Sequence, residues 1–326
     1  TIGSKGYIGA GYAGGFSPLK DFWEYNPNTN NWKQLSNYPG SGSYAVTSFV
    51  INGIIYAGAG FNGGPNSDYW KYDPLTNSWT SISSFPGTPR HGATAFVIGN
   101  KGYIGGGSTG GAPYLSDFWE YDPAQDSWTQ KTNLPHSGES LQVAFSINGK
   151  GYMGLGGKGT YSLPNILYEY SATNNQWTAM PTFPVQELYS MASFVINNIA
   201  YLCGGRDATG SGTTDFWKFD PIAQTWTNLG AIAGGAREDA VGFAINDTGY
   251  LGTGQTFSPN VKKDFWRYLS NSTTSTQDQT ACDSYTWNGT TYTSSGTYIK
   301  TIPNKAGGDS VMTLNLTIIT TPNIIG

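Results

Sequence analysis

Tyr44, His91, Ser140, Tyr189 and Glu238 fall at one position of a pattern that recurs about every 49 residues. The residues just before them are Ser43, Arg90, Glu139, Leu188 and Arg237. Both sets are found by counting back from Phe49, Phe96, Phe145, Phe194 and Phe243, which do repeat. Residues that hold up a repeat recur with it, whereas these change from unit to unit, and that departure marks them as functional candidates. Arginines can grip a carboxylate with two parallel hydrogen bonds. Glutamate and histidine can move protons, and aromatic faces beside polar groups suit a glycan or a peptide. The candidate ligand-binding set is Tyr44, Arg90, His91, Glu139, Tyr189, Arg237 and Glu238.

These residues need a scaffold, and the same period supplies one. Trp32, Trp79, Trp128, Trp177 and Trp226 recur with it, and Tyr25, Tyr72, Tyr121, Tyr170 and Phe219 precede them at constant spacing, with Tyr268 continuing the series. In the third unit, residues 93–98 form a short apolar strand and Gly99-Asn100 a tight turn. Residues 103–107 make a second strand ending in glycines, residues 117–121 a third, and Asp122-Pro123 opens a turn into a fourth at Trp128. Four short strands per unit without helical periodicity predict an all-β propeller.

The unit resembles the kelch repeat. The resemblance rests on a glycine pair after the second strand and a Tyr-to-Trp spacing, as in Gly106-Gly107 with Tyr121 and Trp128, or Gly204-Gly205 with Phe219 and Trp226. Units one and two carry Gly9-Ala10-Gly11 and Gly58-Ala59-Gly60 instead, and Tyr168 stands where other units have Trp. The expected fold is all-β: a six-bladed kelch-type propeller over residues 1–270, a small β module over 278–319 and a linker over 320–326. The repeated tryptophans and tyrosines are expected to fill the space between blades. The repeated Asp21, Asp68, Asp117, Asp215 and Asp264 are expected to stabilise loops. The ring is expected to close by an N-terminal strand pairing with the last blade, with residues 272–277 as the other segment able to cover that edge.

In such a blade, the turns between strands one and two and between three and four share one face and are short. The connections from two to three and from blade to blade share the other face and differ between units, which makes that face the place for binding. It receives the candidate set together with Tyr12, Phe16, Phe61, Tyr161, Arg206 and Phe257. Kelch proteins that hold ligands at this mouth often use arginines, and by position the resemblance carries over to Arg90 and Arg237.

Only 12% of residues are charged and the net charge is −4, with no Lys/Arg cluster to neutralise phosphates, so nucleic acid is not expected as a partner. No apolar run reaches the ~18 residues of a membrane span. The glycine clusters end strands and never open a helix, so they are not phosphate loops. His91 and His136 fall at different positions of successive units, which argues against the copper site of galactose oxidase, and no cofactor or metal is expected. Cys203 reads as a small buried filler.

Residues 278–326 depart from the repeat. They resemble a small β module of secreted, multi-module surface proteins of Gram-negative bacteria. That resemblance implies an extracellular or cell-surface setting, with other modules of the same chain as partners. Such modules carry a second cysteine before an Asp-Ser pair, whereas Gly308 precedes Asp309-Ser310 here. The expected function is a non-catalytic binding or adhesion module that holds a glycan or peptide at the propeller mouth, and the balance of these readings is against an enzyme. The two alternatives are an enzyme resembling the six-bladed kelch mutarotases of sialic acid, with Arg90, His91, Glu139, Arg237 and Glu238 as its acid, base and carboxylate groups, and a structural spacer of a surface layer or filament.

Overall fold

A computed structural model of the chain describes residues 1–13, 17–40, 44–111, 114–136, 138–157, 165–186, 188–256, 260–270, 273–303 and 309–319. The chain forms two compact units, Thr1–Tyr268 and Leu269–Gly326. Among the described residues no helix is long and apolar enough to cross a membrane.

The first unit is a ring of six antiparallel sheets, each a meander from the inner strand outwards. Blade 1 has Gly6–Gly9, Phe22–Asn26 and Asn31–Gln34. Blade 2 has Thr47–Ile51, Ile54–Gly58, Tyr69–Asp73 and Ser78–Ser81. Blade 3 has Thr94–Ile98, Lys101–Gly105, Phe118–Asp122 and Ser127–Lys131. Val143–Ile147, Lys150–Gly154, Leu167–Ser171 and Gln176–Ala179 make blade 4. Ala192–Ile196, Ile199–Cys203, Asp215–Asp220 and Thr225–Ala231 make blade 5. Blade 6 has Val241–Ile245, Thr248–Gly252 and Phe265–Leu269. This is the six-bladed all-β architecture that the repeat predicts.

The inner hairpins follow from turn chemistry. Asn52 (φ 50°) and Gly53 (φ 78°) both adopt the left-handed conformation that a two-residue hairpin turn demands. That turn sets the register, so Phe49 lies opposite Tyr56 with ring centroids 5.2 Å apart. The same stacked pair recurs as Phe96–Tyr103, Phe145–Tyr152, Phe194–Tyr201 and Phe243–Tyr250. Such cross-strand aromatic pairs stabilise a sheet.

Each inner phenylalanine also seats against the next blade. Phe49 lies over Gly102, Phe96 over Gly151 and Phe194 over Gly249, where an added Cβ would come within 2.4, 2.0 and 2.2 Å of the ring. Phe243 of blade 6 meets Gly6 of blade 1 in the same way. Tyr25 joins this seam, 5.5 Å from Tyr250 and 5.0 Å from Phe265. Among the described residues the ring therefore closes by side-chain packing between blades 6 and 1.

The repeated outer residues tie each blade to the one before it. The Trp79, Trp128, Trp177 and Trp226 indoles donate to the carbonyls of Ser36, Ser83, Thr132 and Pro181. Asn77, Asp126 and Asn175 each sit at positive φ in the outer turn, where short polar side chains tolerate that conformation. Each accepts a tyrosine hydroxyl of its own blade and a backbone N–H of the preceding linker. In blade 5 the pair changes together: Phe219 has no hydroxyl to donate, and Gln224 takes the turn position.

The repeated aspartates have the loop role expected of them. Asp21, Asp68, Asp117, Asp215 and Asp264 accept the indole N–H two residues on, from Trp23, Trp70, Trp119, Trp217 and Trp266. Blade 4 replaces both partners at once, with Ile166 and Tyr168. The Gly-Ala-Gly variants are equally local. The first position of the glycine pair has φ near +60°, which Ala10, Ala59, Leu155 and Thr253 also adopt. The second requires glycine: a Cβ on Gly107 would lie 2.8 Å from the His91 carbonyl oxygen.

In the second unit, Thr273–Cys282 runs parallel to Asp309–Ile319, and Gly296–Pro303 pairs antiparallel on that strand's other side. A hairpin of Tyr285–Trp287 and Thr290–Tyr292 contributes Trp287 to a core with Leu314 and Leu316. Residues 273–277 therefore pair with 310–314, not with the sixth blade as the alternative edge reading had it. The expected linker 320–326 lies outside the described residues. Cys203 is buried and Cys282 exposed, and both are free thiols.

Candidate functional site

At the entry to each inner strand, one residue forms a bridge to the start of the two-to-three loop. The pairs are Tyr44 with Phe61, His91 with Ser108, Ser140 with Gly157, Tyr189 with Arg206, and Glu238 with Gln255. Tyr12 holds the Phe61-equivalent position of blade 1, 5.5 Å from Tyr44, and it feels the charges of Glu238 and Asp239. These residues form a girdle around the mouth, and Tyr12 joins its two ends.

A belt of backbone hydrogen bonds fixes the girdle from below. Gly92 donates to Ala45, Leu141 to Gly92, Ser190 to Leu141 and Asp239 to Ser190, at 3.1, 2.8, 3.1 and 3.3 Å. Every residue of the belt has φ between 54° and 63°. Non-glycine residues held there store roughly 1–3 kcal/mol of strain each, which persists only when the surroundings impose it. Asp239 is further held by Ser190 Oγ and by Gln255 Nε2, the latter at 2.9 Å.

Of the seven predicted site residues, Tyr44, His91, Tyr189 and Glu238 lie on this girdle. Arg90, Arg237 and Glu139 do not, and the reason is the alternation of extended backbone. Where position 91 or 238 faces the mouth, position 90 or 237 must face the blade. Arg90 is 0% exposed. It donates to Asp117 Oδ2 at 2.6 Å and to the carbonyls of Gly106 and Thr88 at 3.0 Å each, and it lies over the Phe85 ring. Arg237 is also 0% exposed, with two bonds to Asp264 at 3.0 and 2.7 Å. These guanidiniums are structural clamps, so the expectation that they hold ligand at the mouth is corrected. They keep the carboxyls of their partners low: burial raises Asp117 but Arg90 and Trp119 outweigh it, and for Asp264 the Arg237 hydrogen bond leads. Glu139 is likewise buried, accepting the Gly156 amide at 2.9 Å beside His136.

The charged part of the girdle lies in blades 5 and 6. Glu238 is 2% exposed, and its pKa is pushed up to about 7, first by burial and then by the adjacent Asp239. Arg206, whose side chain is 40% exposed, works against this from 3.4 Å, and Asp207 adds to the rise. Tyr189 and Tyr12 border the pair. A carboxyl half-protonated near neutrality beside an exposed guanidinium can exchange protons with a bound anion. Arg206 was among the loop residues that sequence placed on this face, but nothing in the sequence pairs it with Glu238. Phe16, Tyr161 and Phe257, also expected on this face, lie outside the described residues. Among the described residues no three His, Cys, Asp or Glu side chains converge as a metal site would need.

The KLHDC2/KLHL20/DRC7 kelch-repeats domain matches residues 86–254, and the kelch motif matches residues 43–86. The chain belongs to the kelch-repeat family. No curated protein matches it. Among solved structures it is similar to that of YjhT, at 18% identity and TM-score 0.72, over 83% of this chain and 93% of that one. This likeness is one of fold; the expectation against an enzyme is corrected because Glu238, on the girdle of the mouth, is a carboxyl whose raised pKa suits proton transfer.

Proposed function

We propose that the propeller is an enzyme that interconverts the anomers of a sugar acid at its mouth, the mutarotase alternative of the sequence reading. The observation that carries this is Glu238, buried with a pKa raised to about 7, next to the exposed Arg206. Mutarotation of a cyclic sugar needs a proton taken from the anomeric hydroxyl and a proton given to the ring oxygen as the ring C–O bond breaks. Re-closure on the other face of the carbonyl reverses both transfers. A group with a pKa near the working pH performs either transfer with little bias. In this reading Arg206 takes the substrate carboxylate through paired hydrogen bonds. Drawing the guanidinium off Glu238 removes a neighbour that lowers its pKa, and so favours the acid form when substrate arrives.

The setting we propose is extracellular or at the cell surface, with further modules on the same chain, and its support is the resemblance of residues 278–326 to surface-protein modules. The test of function is anomer exchange followed by NMR with N-acetylneuraminic acid and galacturonic acid as probes. Acceleration by the native protein, lost in Glu238→Gln and weakened in binding by Arg206→Ala, is the expected result. No acceleration with either probe contradicts it.

A further inference from the structure

The girdle is chemically divided. Its charges, Arg206, Glu238 and Asp239, stand in blades 5 and 6. The half in blades 1 to 3 is an unbroken run of rings: Tyr12 to Tyr44 at 5.5 Å, Tyr44 to Phe61 at 5.5 Å and Phe61 to His91 at 5.0 Å. All four are partly exposed. Burial lowers the pKa of His91 and so favours its neutral imidazole. In a six-membered ring, blades 2 and 3 stand across from blades 5 and 6.

We infer that the aromatic arc is a subsite for further sugar rings, so that the substrate is an oligosaccharide whose reducing end is the sugar acid. This rests on the proposed function, because the charged half fixes the acid end. The extent of the arc decides between a chain and a small substituent. An acyl methyl group needs one aromatic contact, whereas four successive rings, turned 69°, 43° and 70° to one another, line more of the mouth than one substituent can cover and leave room for further sugar rings. Aromatic rings of this kind offer an apolar body with a polar rim, which suits the mixed surface of a sugar. Tyr12 touches both halves, which makes the two subsites contiguous. Phe61 sits at the centre of the arc and faces the Ser108–Gly111 loop, with its ring 3.7 Å from where a Cβ on Gly110 would lie.

The experiment compares monomer, dimer and trimer of galacturonic acid, and of N-acetylneuraminic acid, in two assays: anomer exchange, and saturation transfer from protein aromatic protons to each sugar ring. In at least one series, KM should fall about tenfold from monomer to trimer, with transfer to the rings beyond the reducing end. Phe61→Ala should bring the trimer-to-monomer KM ratio back towards one, as should Phe61→Leu, which keeps apolar volume without a π face and guards against a folding defect. Catalysis with the same KM for all lengths in both series overturns the subsite and leaves the mutarotase reading standing. Absence of both exchange and binding for every sugar overturns the two together.

Discussion

Phe243 of the sixth blade lies against Gly6 of the first, so close that a Cβ on Gly6 would come within 2.4 Å of the ring. The contact repeats the Phe49–Gly102, Phe96–Gly151 and Phe194–Gly249 seats, so the seam uses the same joint as the internal blade boundaries. Gly6→Val should therefore destabilise the propeller by about 1–3 kcal/mol, the ordinary cost of overpacking. Gly102→Val should cost a similar amount. Thermal melting of both variants checks this. A Gly6 variant as stable as the native protein would mean the seam is loose.

The arginines separate into two kinds. Arg90 and Arg237 are buried while their aspartate partners are partly exposed, so truncating one strips a half-solvated carboxylate of its main partner and empties the arginine's buried site, at roughly 1–3 kcal/mol. Arg206 is exposed and its removal should change stability little. Melting curves and titration of a sugar acid should thus give opposite patterns: Arg90→Ala and Arg237→Ala lose stability, whereas Arg206→Ala keeps its fold and loses ligand.

Stability should carry the mark of Glu238. Its folded pKa of about 7 lies above the ordinary carboxyl value of 4.5, so the folded state holds a proton that the unfolded state releases. Stability from this group is complete below the lower value and declines as pH rises through the window up to about 7. Glu238→Gln should remove that decline. The opposite contribution comes from Asp117 and Asp264, whose lowered carboxyls stabilise the fold above their ordinary range and cease to do so in acid. Melting temperature against pH for native and Glu238→Gln proteins reads both limbs.

The charge of Asp239 helps to keep the Glu238 carboxyl high. Asp239→Asn removes the neighbouring negative charge while keeping one oxygen that can still accept from Ser190 or Gln255. The carboxyl titration of Glu238, followed by carbon NMR and assigned through Glu238→Gln, should move to lower pH, and any pH–rate profile should move with it. An unchanged midpoint would assign the elevation to burial and Asp207 without Asp239.

Much of this fold was legible in the sequence because its supports repeat. The Trp-to-carbonyl bonds, the Tyr–Asn turns and the Asp–indole bonds recur blade by blade, so their spacing announces them. The site was only half legible. Departure from the repeat found Tyr44, His91, Tyr189 and Glu238, but it also gathered Arg90, Arg237 and Glu139. Those depart for another reason: they stand one residue away, on the opposite side of an extended strand, where they bond within their own blades. Arg206 and Glu238 belong to different blades, and only the closing of blade 5 on blade 6 brings them to 3.4 Å. No local spacing encodes that approach.

The central claim is that Glu238 moves protons for a sugar acid at the propeller mouth. Its most direct test is the anomer-exchange rate of N-acetylneuraminic and galacturonic acids with native protein and with Glu238→Gln of equal melting temperature. The account predicts acceleration by the native protein that depends on an ionisation near pH 7 and falls by about 10²-fold or more in the variant. Exchange unaffected by native protein, or undiminished in Glu238→Gln, would contradict it.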